Sequence, residues 1–146
     1  MRAYRGGVWP DSVERIAAFL RASVAEGRLE QVLPGSEPPP GLAVTVRTFE
    51  CDDRTVVGLI PSARRLDRQK LAAAADCAAL RPAASPSAFP FHGAFVFLDQ
   101  SALGAHAVWL ELDPPRYFLG LAPGQFMRLT RSKTADLVTE NRIGGG

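Results

Sequence analysis

The residues able to do acid–base, nucleophilic or metal chemistry are few: two histidines, His92 and His106, and two cysteines, Cys51 and Cys77. A hydrolytic triad needs a nucleophile, a base and an orienting acid, and no GxSxG elbow accompanies either histidine. The histidines lie 14 positions apart and the cysteines 26, with no close-spaced ligand pair, so no metal is expected. Neither GxxxxGK nor GxGxxG occurs, so no nucleotide cofactor is expected either. Without a CxxC pattern the cysteines read as two reduced, buried thiols, which suits a cytoplasmic address.

Two stretches remain that could build a pocket. Arg47 interrupts the β-branched run "TVRTF", where its stem can pack while its guanidinium reaches a carboxylate or phosphate. Strand alternation equally allows it to face solvent. "FPFHG", Phe89 to Gly93, combines aromatic rings with a rigid Pro90 and a glycine whose N–H can approach a ligand closely, or it anchors a loop to the core. The net charge of +2 is unevenly spread. Arg64, Arg65, Arg68 and Lys70 surround one acid, Asp67, and Arg116, Arg128, Arg131 and Lys133 fall in an acid-free stretch. Such runs contact a polyanion or simply form solvated faces, and with 15 arginines against two lysines, compositional bias contributes.

The elements that would position these residues follow from periodicity. "WPDSVERIAAFLRASVAEG" repeats apolar residues at helical spacing, with Asp11 and Glu14 as a capping box and Gly27 as the stop. "LEQVL" reads as a short strand before the proline-rich loop "PGSEPPPG". "LAVTVRTFEC" and "TVVGLIP" form a β-hairpin around "DDR". Asp67 then caps a helix through the alanines Ala72 to Ala75, stapled by Leu66 and Leu71. Strands "AFVFLD", "HAVWLEL" and "RYFLGL", a helix "APGQFMRLT" with Pro123 in its first turn, and a closing segment "TADLVTE" complete the order, the three terminal glycines being a frayed end. This order predicts an α+β fold, a mixed sheet with surrounding helices, and 146 residues are enough for one domain, 1–146, with a full core. No apolar run reaches the length of a membrane span and no secretion signal is visible, so no membrane partner is expected.

The order of "SVERIAAFL", "VTVRTFECDDRTVVGLIPSARRLDRQKLAAAA", "PFHGAFVFLDQSAL" and "YFLGLAPGQFMRLT" resembles the YbaK/EbsC family, aminoacyl-tRNA editing domains related to the insertion domain of bacterial prolyl-tRNA synthetase. The likeness is most specific over "VVGLIPSARRLDRQKLA". It implies a metal-independent deacylase that hydrolyses mischarged tRNA in trans, with no cofactor, with the tRNA acceptor end as partner and an aminoacyl-tRNA synthetase as a possible second partner. It also implies roles: Arg47 and Gly93 as catalytic contacts, Thr48, Pro90, Phe91 and His92 as substrate contacts, and Arg64, Arg65 and Arg68 on the tRNA backbone. An alternative is a diverged, non-catalytic module that binds tRNA or a small aminoacyl ligand. The chain departs from the pattern in four places, one of them "LELDPPR", which stands where many members carry glycines or a polar substrate contact. Arg47 stands where the family has a lysine, a histidine is inserted in "PFHG", and "PGSEPPPG" replaces a helix before the arginine strand.

Overall fold

The computed structural model describes residues 9–37 and 40–140; the terminal glycines lie outside them. One mixed sheet carries the fold, in the order β1-β7-β6-β2-β3-β5-β8, with a two-residue strand β4 (Arg81–Pro82) attached to β2. Its central pair is the expected hairpin of β2 (Leu42–Cys51) and β3 (Arg54–Pro61), paired antiparallel from Val44↔Pro61 to Cys51↔Arg54. On the far side of β3 runs β5 (Phe95–Asp99), parallel, followed by β8 (Lys133–Ala135). On the other side of β2 comes β6 (Val108–Glu111), parallel, then antiparallel β7 (Tyr117–Leu121) and β1 (Arg28–Gln31). Among the described residues three α-helices pack on it: α1 (Asp11–Ala22), α2 (Arg68–Ala74) and α3 (Pro123–Thr130). The mixed α+β architecture is as expected. No helix of the described residues is long and apolar enough to cross a membrane.

Strand periodicity divides the core in two. Val44 on β2, Val57 and Leu59 on β3, and Val96 and Leu98 on β5 point to one face, where they meet Val13, Ala17 and Leu20 of α1 and Phe126 of α3. The alternate residues Phe49, Cys51, Val56, Ile60 and Phe97 point to the other face and meet Leu66, Leu71 and the closing residues Leu137 and Val138. Asp67 begins α2 as expected, its carboxylate accepting from the Gln69 and Lys70 N–H groups, with Leu66 and Leu71 buried on either side. Lys70 reaches Asp136 at 2.8 Å, and this hydrogen bond raises the lysine pKa and lowers that of the carboxyl.

Asp99 is 2% exposed and ties the end of β5 to the closing segment. Its carboxylate accepts from the Ser101 N–H and hydroxyl and, at 2.8 Å, from the Leu137 N–H. On the β6 side Trp109 fills the sheet. A side chain on Gly120 would meet its ring at 2.6 Å, and the indole N–H donates to the Pro40 carbonyl at 2.7 Å.

Three expectations are corrected. The first helix is not capped by a box: Pro10 is its N-cap, without a side-chain cap hydrogen bond, and Asp11 already lies inside the first turn. It also ends at Ala22, before Gly27, because the chain turns at Val24 with φ of 53°. Finally, the two cysteines are bonded to each other. Cys51 closes the hairpin on the α2 face and Cys77 returns beneath it just after α2, bringing their Cα atoms to 6.2 Å; linear spacing carries no sign of this meeting. The reduced thiols that favoured a cytoplasmic address are thus absent, and bridges of this kind persist mainly in oxidising surroundings.

Two outcomes test this frame. Reducing the bridge, or replacing Cys77→Ser, should lower the unfolding free energy by about 3–4 kcal/mol, the loop-closure entropy for a loop of this length; urea midpoints with and without reductant measure it. Protein denatured without reductant that takes up two alkylating groups would contradict the bridge. Asp99→Ala should cost about 3 kcal/mol, because buried N–H groups lose a charged acceptor, and a melting temperature equal to wild type would remove Asp99 from that role.

Candidate functional site

A cleft opens where the sheet splits. β2 pairs with β6 only from Leu42↔Val108 to Val44↔Leu110, after which the two strands part. β2 meets no further neighbour on that side until β4 (Arg81–Pro82) pairs with Phe49 and Glu50. The resulting hollow, of about 900 Å³, has Val44, Thr45 and Val46 on one wall and Leu110, Leu112 and Asp113 on the other. Ser12, Arg15, Ile16 and Phe19 of α1 cover it, and the turn Pro86–Pro90 with His92 closes one end.

That turn is latched to the strand. The Thr48 hydroxyl accepts from the Ser87 N–H at 3.0 Å, and the Thr48 carbonyl accepts from Ala83. Phe91 N–H bonds the Ala88 carbonyl at 2.7 Å and Ala94 N–H the Phe91 carbonyl at 3.1 Å. Phe89 and Phe91 are both buried, with ring centroids 6.1 Å apart. The backbone enters the left-handed region at Phe91, φ 64°, and at Gly93, φ 80°. Glycine tolerates that geometry without strain; phenylalanine holds it because its ring is locked in the core. The exposed His92 packs edge-on to Phe19 at 5.9 Å. Neither the His92 nor the Gly93 N–H bonds another described residue.

The expected site residues divide among three places. Pro90 and His92 line the cleft. Thr48 acts behind it, through the latch. Gly93 instead lies on a second, smaller hollow of about 450 Å³, which shares Phe19, Pro90 and His92 with the cleft and is completed by Ser23 and by Arg128, Thr130 and Arg131 at the end of α3. Phe91 turns its ring into the core, so only its backbone stands near either hollow.

Arg47 is on the other side of the sheet. Since Thr48 faces the latched turn, strand alternation sends Arg47 the opposite way. Its guanidinium carbon sits 5.6 Å from the Phe49 ring centroid, and that of Arg68 sits 5.0 Å from the same ring. Arg64 and Arg68 donate to the carbonyls of Thr139 and Leu80, while Arg65 is exposed. Arg68 therefore gathers with Arg47 over Phe49 on the face opposite the cleft, while Arg64 is tied to Thr139.

The cation beside the cleft is Arg15, which sequence reading passed over as one polar residue on an amphipathic helix. Asp113 was not chosen as a site residue either, although "LELDPPR" stood out as a departure from the family pattern; its carbonyl accepts from the Ser12 hydroxyl at 2.7 Å and so holds the start of α1 over the mouth. Among the described residues no group of three or more His, Cys, Asp or Glu side chains could hold a metal ion.

No protein-family model matches the chain, and no curated protein matches it in sequence. Solved structures do. A scaffold protein from computational epitope-backbone grafting superposes with a TM-score of 0.75 at 18% identity, covering 91% of this chain and 100% of its own. A candidate trans-editing enzyme for prolyl tRNA synthetase superposes with a TM-score of 0.72 at 19% identity, again over 91% of this chain and 100% of its own. A hypothetical protein follows at 0.69 and 13% identity, over 86% and 99%. The chain thus shares its fold, over nine-tenths of its length, with a candidate trans-editing enzyme for prolyl tRNA synthetase.

Proposed function

We propose that the chain is an aminoacyl-tRNA deacylase that removes a wrong amino acid from tRNA in trans. The observation that carries this reading is the pair of adjoining hollows divided by the Pro90–Gly93 turn. One is walled by apolar side chains and suits an aminoacyl group; the other holds Arg128 and Arg131 and suits the terminal nucleotide with its phosphate. The ester joining the two would lie across the turn, beside the unbonded N–H groups of His92 and Gly93.

Ester hydrolysis at such a place needs little more than positioning. Water attacks the acyl carbon, negative charge gathers on the carbonyl oxygen, and the bond to the ribose oxygen breaks as that oxygen takes up a proton. Two fixed amide donors aimed at the oxyanion lower that barrier, and the latch through Thr48 keeps them in place. Arg64, Arg65 and Arg68 would touch the tRNA further from its end.

A second reading, a non-catalytic module that binds the aminoacyl end, draws support from Arg47: the strand cation that the family resemblance assigns to catalysis faces away from the cleft. Release of amino acid from a panel of mischarged tRNAs separates the two. The deacylase predicts multiple turnovers on at least one member, and binding without release would favour the module.

Variants refine the assignment. Thr48→Val should slow deacylation about 10-fold or more, because it frees the turn that carries the amide donors, while Arg47→Ala should stay within about two-fold of wild type, as a residue outside the cleft. Equal rates for wild type and Thr48→Val would remove the latch from catalysis. Alanine at Arg128 and Arg131 should weaken binding of both tRNA and a short aminoacyl-RNA mimic, and flatten the salt dependence by about two units of slope. Alanine at Arg64, Arg65 and Arg68 should weaken binding of full-length tRNA alone. Equal loss on the mimic would place those three arginines at the acceptor end instead.

A further inference from the structure

The main chain of β2 is open inside the cleft at one residue. Along a strand, successive N–H and C=O groups point alternately to the two edges. Ala43 accepts from Ser62 on the β3 side, whereas Leu42 donates to Ala107 on the β6 side and Thr48 accepts from Ala83 on the β4 side. The register runs without a bulge from Val44 to Cys51. Val46 therefore directs both its N–H and its C=O away from β3, into the gap between the end of the β6 ladder at Val44 and the start of the β4 pairing. Among the described residues no strand, turn or side chain bonds either group. Its own side chain packs half-buried against the cleft-side core.

We infer that the Val46 main chain is the recognition point for the aminoacyl group, its N–H donating to the acyl carbonyl and its C=O accepting from the α-ammonium. This rests on the deacylase or aminoacyl-binding reading of the cleft. Two features select this occupant. The gap exposes one donor–acceptor pair with paired backbone on both sides, room for one amino-acid unit rather than an added strand, which needs several such pairs. The lining around it includes the apolar side chains of Val44, Leu110, Leu112, Ile16 and Phe19, alongside the polar Ser12, Arg15 and Asp113. Contacts made by main chain alone bind every amino acid by its common part, so discrimination falls to the walls that receive the side chain.

The test reads Val46 directly. In the free protein its amide should exchange at least 100-fold faster than those of Thr45 and Arg47, which the β3 ladder protects. An amide as slow as its neighbours would overturn the inference. The probe is 3′-(L-alanylamino)-3′-deoxyadenosine, in which a stable amide replaces the ester. It should shift the Val46 amide resonance and slow its exchange, and adenosine should do neither; a probe that leaves Val46 unmoved, or fails to bind, would overturn the inference. Replacing the Val46 peptide N–H by an ester oxygen should weaken probe binding about 5-fold, as for loss of one hydrogen bond. Val46→Pro removes the same N–H at a position where no ladder bond is lost, and should do likewise with the fold intact. These readouts need no turnover. Probe binding through Val46 without hydrolysis of any mischarged tRNA would uphold the inference and end the deacylase reading, whereas hydrolysis indifferent to the ester and proline replacements would do the reverse.

Discussion

The β2–β6 ladder stops after three residue pairs, and the rest of the site follows from that stop. Had the strands stayed together, their side chains would have closed the core and no hollow would exist at the centre of the sheet. Because they part, the walls are strand residues held rigidly by the hairpin with β3 on one side and by β7 on the other. A site on such elements is better fixed than one on loops alone. The one loop that matters, from Pro86 to Gly93, is pinned at Thr48 and by two buried phenylalanine rings.

The same alternation decides which residues can take part. Thr48 and Val46 belong to the cleft side, so Arg47 cannot, and its guanidinium joins Arg68 over Phe49 instead. Two cationic regions result. Arg15, Arg128 and Arg131 stand at the hollows; Arg47 and Arg68 stand behind them.

Much of the fold was legible because local signals agreed with it. The alternation in "LAVTVRTFEC", the turn after it and the Asp67 cap are local signals that the structure realises, with Arg54 of the expected "DDR" turn already in β3. Pro123 likewise opens α3. What local patterns could not carry were meetings between distant segments. Cys51 and Cys77 come together only once α2 has folded back beneath the hairpin, and the split between β2 and β6 depends on where two strands separated by more than fifty residues stop pairing. Arg47 shows a subtler limit. Sequence left both faces open to it, and only the partner of Thr48 reveals which one it takes. Arg15 and Asp113 carried no motif and became visible as cleft residues only through the arrangement of α1 over the strand ends.

The central claim is that the cleft between β2 and β6 holds the aminoacyl group during its removal from tRNA. Single-turnover release of amino acid from a mischarged tRNA, compared between wild type and Ala88→Trp, tests it most directly, because Ala88 is exposed on the turn at the cleft and an indole there would fill the hollow with the core left intact. The account predicts that the tryptophan variant folds with an unchanged melting temperature and loses release by at least about 100-fold, the scale expected when substrate cannot reach a productive position. Release at the wild-type rate by the filled variant would contradict it.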